Sequence, residues 1–419
     1  MNMNTDIKKK GVADYNVIIL TATIFIGFLV FGFSENIKGP AIPKIQTEFS
    51  LSEFHIGLLL ALNSLGYLLA CSFTGWMTKK IGIKATTIAS FMTMAFAGLL
   101  IYFAPSYISF SGSYFVMYLG NGMLEISLGI MAATIFTKNT GTMMNLSHFF
   151  YGLSSMIAPL LSTRLMGLSL SNSILGWRGM YLIVLSFSLI PILPAIFGMF
   201  PKEDKNNHER VPFKDFIKNP IAWLILSILS FGVIAEMAVG GWLVNFLEKS
   251  YSFDSTTAAS VLSGFFFCFM LARLLFGPII DRIGFVRSIL ISSCFSGISI
   301  IAAVLIGKPA VFLLAIAGFG IAPIYPTVMA LMSKVFKNNM DTALTFTLTL
   351  MGITIVIGNL LVGAITDSFK ALYTHYQGVE AGIQAGYSAG YMFIGFCCML
   401  CFGGTLILYR KLKSINSIY

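Results

Sequence analysis

Glu125 stands alone as a charge in the apolar run from Tyr114 to Phe136, a stretch long enough to cross a bilayer. A carboxylate at the centre of such a helix is costly unless it meets a partner or water, and it therefore marks a substrate or ion pathway. Desolvation drives such a group toward its protonated form, so it can take a proton from one side and release it to the other. The structural alternative is a hydrogen bond to Asn63 or to Asn121, one turn earlier. Three other side chains bring comparable chemistry. Glu35 is three residues before Lys38, which places the two on one helical face where they could pair. Glu236 precedes Gly240, Gly241 and Trp242; the glycines allow a break or close packing, and the indole could stack on the apolar face of a ring-shaped solute. A gate held only by helix packing is the other reading of that segment. His148 is the one histidine inside an apolar run, suited to hydrogen bonding or to pH sensing, and equally to helix packing.

Uncharged candidates for lining a cavity are Asn63, Asn245, Tyr325 and Asn359, although buried amides also lock helices together. Arg273 reads as structural, serving the loop that follows it, and Arg178 as an interface anchor beside Trp177. All six cysteines fall in apolar runs and read as small packing residues; the cluster at Cys397, Cys398 and Cys401 has no neighbouring His or Cys group to make a metal site. There is no HExxH, nucleotide loop or membrane-protease triad. The sequence thus predicts neither enzyme activity, nor a cofactor, nor a metal.

The elements that must hold these residues follow from composition. Of the 419 residues 57% are hydrophobic and 11% charged, with a mean hydropathy of +0.84. A soluble domain would carry about 25% charged residues. Apolar runs predict an all-α membrane protein of twelve spans, at 15–36, 53–76, 84–104, 113–137, 145–167 and 178–200, then 219–247, 256–280, 287–306, 311–333, 341–366 and 386–410. The net charge of +10 does not indicate nucleic acid, because Lys and Arg concentrate in alternate loops. That asymmetry predicts a multi-pass protein of the cell membrane with both termini in the cytoplasm. The first apolar run is longer than a signal-peptide core and lacks a small-residue cleavage site, so it reads as a retained span. The polar tract 201–218 separates an N-terminal six-helix bundle, 1–200, from a C-terminal one, 219–419.

An internal repeat supports the two bundles. Gly75, Lys79, Lys80 and Gly82 recur as Gly277, Asp281, Arg282 and Gly284, a constant 202 residues later. The glycines let helices meet and the chain turn, and the charges hold a cytoplasmic loop against helix ends. The frame resembles the loop motif of the major facilitator superfamily, Gly-x-x-x-Asp-Arg-x-Gly, nearly complete in the second copy and with Lys79 replacing Asp in the first. The Lys79-Lys80 pair is similar to the fucose, glucose and galactose proton symporter branch. Further segments agree: Ile42-Pro43 through Gly57-Leu58, Gly122-Met-Leu-Glu125, His148 through Gly152 with Pro159, and Gly318 through Tyr325-Pro326.

The resemblance implies a monomeric secondary transporter in which a proton, or sodium, drives symport of a monosaccharide or similar small polar solute by alternating access. It implies that Glu125 takes part in both binding and coupling, that Glu236 matches a similar Glu of the branch, and that His148 occupies a position polar in the sugar carriers. The branch's first-span acid aligns with Gly39, so Glu35 or His148 would have to supply a second coupling group. The substrate set is then Glu125, Asn63, His148, Glu236, Trp242, Tyr325 and Asn359. The competing function is a proton antiporter exporting drugs, metabolites or lipid-like cargo, which the abundant Met and Phe would suit.

Overall fold

In a bilayer core the backbone must satisfy its own N–H and C=O groups, which leaves helices and closed barrels as the spanning structures. The computed structural model is helical accordingly. It describes residues 3–136, 140–170, 173–200, 217–336 and 340–414. Most of the polar tract 201–218, with Lys202, Lys205, His208, Arg210 and Lys214, lies outside the described residues, as do Lys138 and Lys337.

The helices in chain order are α1 Met3–Asn36, α2 Lys38–Phe49, α3 Glu53–Ile81, α4 Ile83–Tyr102, α5 Tyr107–Ile135, α6 Thr140–Met166, α7 Gly176–Ser186 and α8 Ile192–Phe197. They continue as α9 Pro220–Tyr251, α10 Ser255–Leu275, α11 Gly277–Ile283, α12 Phe285–Ile306, α13 Phe312–Ile321, α14 Ile324–Val335, α15 Met340–Gln377 and α16 Val379–Ser414. A two-residue antiparallel ladder pairs Ser169 with Ile174 and Leu170 with Ser173 between α6 and α7. Among the described residues eleven stretches are long and apolar enough to cross a membrane. Helix α6, on the expected fifth span, falls outside those eleven because Ser, Thr, Asn and His dilute it.

Local chemistry fixes several helix starts. Ser106 and Ser109 form a capping box at α5, and Asn219 accepts the N–H groups of Ile221 and Ala222 at α9. Asp254 caps α10; the Thr257 hydroxyl together with the Thr257 and Thr256 N–H groups holds its carboxyl below the usual range. Arg178 donates to the Ala104 carbonyl at 3.0 Å while its guanidinium lies 4.3 Å from the Trp177 ring.

The chain divides into two compact units. One comprises 1–37, 65–158 and 164–206; the other comprises 38–64, 159–163 and 207–419. The core of the second joins Ile225 and Leu229 of α9, Ile289 of α12, Val328 of α14, Phe346 of α15 and Cys397, Cys401 and Leu408 of α16. Those cysteines are buried packing residues.

The 202-residue repeat is present in the backbone itself. Gly82 (φ 85°) matches Gly284 (φ 88°), Gly176 (64°) matches Gly378 (92°), and Ser50 (51°) matches Ser252 (52°). These two serines are the non-glycine residues with positive φ among the described residues. Gly82 and Gly284 have ψ of 156° and 151°, a combination open only to glycine, so each closes its motif for conformational reasons. Gly75 and Gly277 differ: a Cβ on either would meet open space, so close helix approach is not their role. Lys79, Lys80, Asp281 and Arg282 are exposed, with Lys80 4.8 Å from the Trp76 ring. Gly284→Ala is therefore expected to destabilise the protein by about 1–3 kcal/mol, whereas Gly277→Ala is expected to be neutral. Thermal unfolding of the two purified variants checks the contrast.

Candidate functional site

In the first unit Glu125 is half-buried on α5, and its Oε2 accepts a 2.7 Å hydrogen bond from the hydroxyl of Tyr67 on α3. The approach of the two helices has a visible cause one turn earlier. A Cβ on Gly122 would stand 2.7 Å from Cβ of Ala70 and 3.0 Å from the carbonyl oxygen of Tyr67. Only glycine lets α5 come that near α3, and the approach carries the Tyr67 phenol to Glu125. Asn121, on the turn before, accepts from Ser34 Oγ at 2.8 Å, and its buried Nδ2 has no hydrogen-bond partner.

Glu35 and Lys38 are both buried, at 9% and 4% exposure, rather than forming a pair at the surface. Glu35 lies within electrostatic reach of Tyr118 and Tyr181, two fully buried phenols that pack edge-on around Tyr114. His148 is exposed on α6, with its ring 5.2 Å from Phe28. It belongs to an aromatic row in which Phe25, Phe28 and Phe31 of α1 meet Phe150, His148 and Tyr151 of α6.

In the second unit Glu236 is buried on α9, and its Oε1 lies 3.9 Å from Nη2 of Arg273 on α10. The Arg273 guanidinium rests 4.3 Å from the Phe269 ring and its side chain is a quarter exposed. The expectation that Arg273 serves the following loop is corrected here: its ionic partner is a carboxylate within the spans. Sequence reasoning had placed the two residues separately because nothing in either helix announces the other. Trp242 is buried at 1% exposure, so protein packs its ring in this structure, and its Nε1–H has no acceptor. Asn63 and Asn359 are also buried, each with an Oδ1 lacking a partner, while Tyr325 is half-buried. Asn245 is committed elsewhere, donating to the Tyr387 hydroxyl at 2.8 Å.

Gly39 explains its own identity. A Cβ there would stand 3.1 Å from the carbonyl oxygen of Gly240 and 2.7 Å from Cδ2 of Leu262. Helices α2 and α9 approach closely at this point, so a larger side chain at Gly39 would require the Leu262 side chain and the Gly240 backbone to shift.

The family model described as Major Facilitator Superfamily matches residues 24–248 and 234–416. The chain belongs to the Major Facilitator Superfamily. Within it, the chain is 25% identical over 372 residues to a gentisate transporter of Corynebacterium glutamicum, covering 82% of this chain and 80% of that one. It is 24% identical over 320 residues to a putative glucose/galactose transporter of Helicobacter pylori, with coverage of 73% and 78%. A TsgA homologue of Buchnera aphidicola is 24% identical over 293 residues, with coverage of 68% and 71%. Among solved structures, a bacterial homologue of the lysosomal transporter Spinster superposes with a TM-score of 0.75 at 14% identity, covering 96% of this chain and 98% of that one. FucP superposes with a TM-score of 0.62 at 18% identity, with coverage of 94% and 99%. The superfamily carriers are multi-pass membrane transporters, and this chain has their fold.

Tyr67 is the residue at this site that the sequence did not single out. A tyrosine within a span carries no signal of its own, although the Gly122 spacing before Glu125 does point to a close neighbour. The Glu236–Arg273 pair gives a direct measurement. Removing one member leaves the other poorly solvated, so Arg273→Gln is expected to cost about 1–3 kcal/mol, discounted for the exposure of the guanidinium. In the Glu236→Gln, Arg273→Gln double variant the loss is expected to fall short of the sum of the singles, and a thermal-unfolding cycle measures that shortfall.

Proposed function

We propose that this transporter is a proton-coupled symporter of a monosaccharide or similar small polar solute, acting by alternating access in the cytoplasmic membrane with both termini in the cytoplasm. The Glu125–Tyr67 contact carries the reading. It joins a lone carboxylate in an uncharged span to a phenol that can donate to the charged form, the arrangement expected of a group that gains and loses a proton during a cycle. In alternating access, helical repeats rock and present a midplane site to one side at a time, and protonation biases that equilibrium.

Support for a hydroxyl-rich cargo comes from the second unit. The buried Oδ1 atoms of Asn63 and Asn359 and the Nε1–H of Trp242 each retain unused hydrogen-bonding capacity, and leaving such a group unpaired costs about 1–3 kcal/mol. A solute that both donates and accepts would relieve it. The likeness to a putative glucose/galactose transporter points the same way. A second cargo class, a hydroxylated organic acid, is favoured by the partly exposed Arg273 guanidinium and by the likeness to a gentisate transporter.

Reconstitution into liposomes with an imposed pH gradient tests the proposal, using labelled glucose, galactose, fucose and gentisate with and without sodium. The expected result is accumulation of at least one sugar, dependent on the pH gradient and independent of sodium. Glu125→Gln is expected to abolish accumulation while retaining exchange of solute across the membrane. Full concentrative uptake by that variant would remove Glu125 from coupling; accumulation of gentisate alone would replace the sugar with the acid.

A further inference from the structure

Helix α5 carries a stripe of polar side chains that its packing does not require. Tyr107, Ser111, Tyr114, Tyr118, Asn121 and Glu125 follow one another at intervals of four, three, four, three and four. They therefore share one face, descending from the start of the helix to the carboxylate near its middle. At the rise of an α-helix the stripe is about 27 Å long. Tyr107 and Glu125, at its two ends, are half-buried, and the four residues between them are buried.

Neighbouring helices of the same unit add polar groups along its length. The Tyr107 hydroxyl lies against Ser111. Tyr118, and Tyr181 of α7, set their hydroxyls against Tyr114, with rings 5.2 and 6.2 Å from its ring. Glu35 of α1 acts electrostatically on Tyr118, and the adjacent Ser34 donates to Oδ1 of Asn121 at 2.8 Å. Glycine seats α3 on this side: a Cβ on Gly66 would stand 3.1 Å from Cβ of Tyr118, and Tyr67 donates to Glu125. Helix α4, against which Gly120 packs, has no titratable residue between Lys84 and Tyr102, and Arg178 of α7 is turned to the Ala104 carbonyl. Among the described residues the titratable groups facing the stripe are thus Glu35, Tyr67 and Tyr181.

Aromatic packing, rather than the hydroxyls, holds these rings. Tyr114 stacks on Phe110 at 5.3 Å, and Phe110 meets Trp177 edge-on at 5.1 Å. Phenylalanine would keep such ring contacts without the cost of burying a polar group. What a phenol adds is a hydroxyl that donates and accepts at once. In a row of such groups, a proton that joins one oxygen releases that group's own proton to the next. One O–H bond forms as another breaks, and each group is left neutral; water molecules held by buried polar groups span the longer steps. We propose that the stripe is a proton relay running from Tyr107, at the end of the bundle where α4 finishes and α5 begins, to Glu125, with Tyr114 and Tyr118 as relaying hydroxyls. In the orientation proposed above, that end is the outer face. The stripe stands on its geometry; its use as a relay rests on the coupling role proposed for Glu125.

Time-resolved infrared spectroscopy of the full-length protein, reconstituted in one orientation into liposomes without added solute, tests it. The carboxyl band of Glu125 is assigned by its loss in Glu125→Gln, and protons are released from a photolabile donor on the side of Tyr107. In Tyr114→Phe and in Tyr118→Phe, which keep the ring and remove the hydroxyl, the rate at which the band appears is expected to fall about tenfold, as for one lost hydrogen bond in the barrier. The pH midpoint of the band at equilibrium is expected to stay where it is in the unmodified protein. Ser127→Ala, on the opposite face of α5, is expected to change neither. An unchanged rate in both phenylalanine variants would overturn the relay and leave Glu125 as the coupling group. A slower rate accompanied by a shifted midpoint, or equal slowing in Ser127→Ala, would make the hydroxyls structural and likewise overturn it. Absence of any Glu125 band titrating between about pH 5 and 9 would overturn the coupling reading itself, and the relay with it.

Discussion

An ionisable side chain placed in an apolar phase must be brought to a partner, because neither lipid nor bulk water will compensate for the solvation it loses. The arrangement of this protein follows from how that is done. At two of its carboxylates, two helices come together at a residue lacking a Cβ, and side chains one or two turns away can then meet. Gly122 brings α5 onto α3, and Tyr67 reaches Glu125. Gly363 brings α15 onto the start of α3, and Lys370 reaches Glu53. A typical helix–helix distance of 8–10 Å would leave such short polar contacts to long, flexible side chains; at Gly122 the closer approach lets a phenol and a carboxylate make one.

The same device acts at Gly39. There α2 packs so closely on α9 that a Cβ would stand 3.1 Å from the Gly240 carbonyl oxygen, and a larger side chain would require its neighbours to shift. Glu125 meets an uncharged donor in Tyr67, whereas Glu236 faces the Arg273 guanidinium at 3.9 Å.

Spans and repeat were legible because they depend on composition and on spacing along one chain. The run of apolar residues around Glu125 specifies a helix whatever surrounds it, and the final glycine of each motif copy, Gly82 and Gly284, specifies a backbone conformation that no other residue adopts. Pairings were not legible. Tyr67 and Glu125 are joined across 58 residues and Glu53 and Lys370 across 317, and a single sequence has no term linking positions so far apart. Glu53 is misleading locally, for a Glu at the first position of a helix ordinarily sits in water and favours the helix dipole. Pro40 and Pro43 both lie within α2. Pro40 is in its first turn, where the missing N–H has no intrahelical acceptor to lose.

The repeat shows which features of the halves are held in common and which are free to diverge. At the constant offset of 202 residues the φ angles of Ser50 and Ser252 agree within a degree, and those of Gly82 and Gly284 within three. Side-chain chemistry does not follow. Glu125 corresponds to Thr327, and Glu236 to Ser34, so each half has a carboxylate where the other has a hydroxyl. The halves therefore share the torsions that turn the chain, while the groups at equivalent positions differ in charge and in hydrogen-bonding capacity: a carboxylate only accepts when ionised, whereas a hydroxyl both donates and accepts.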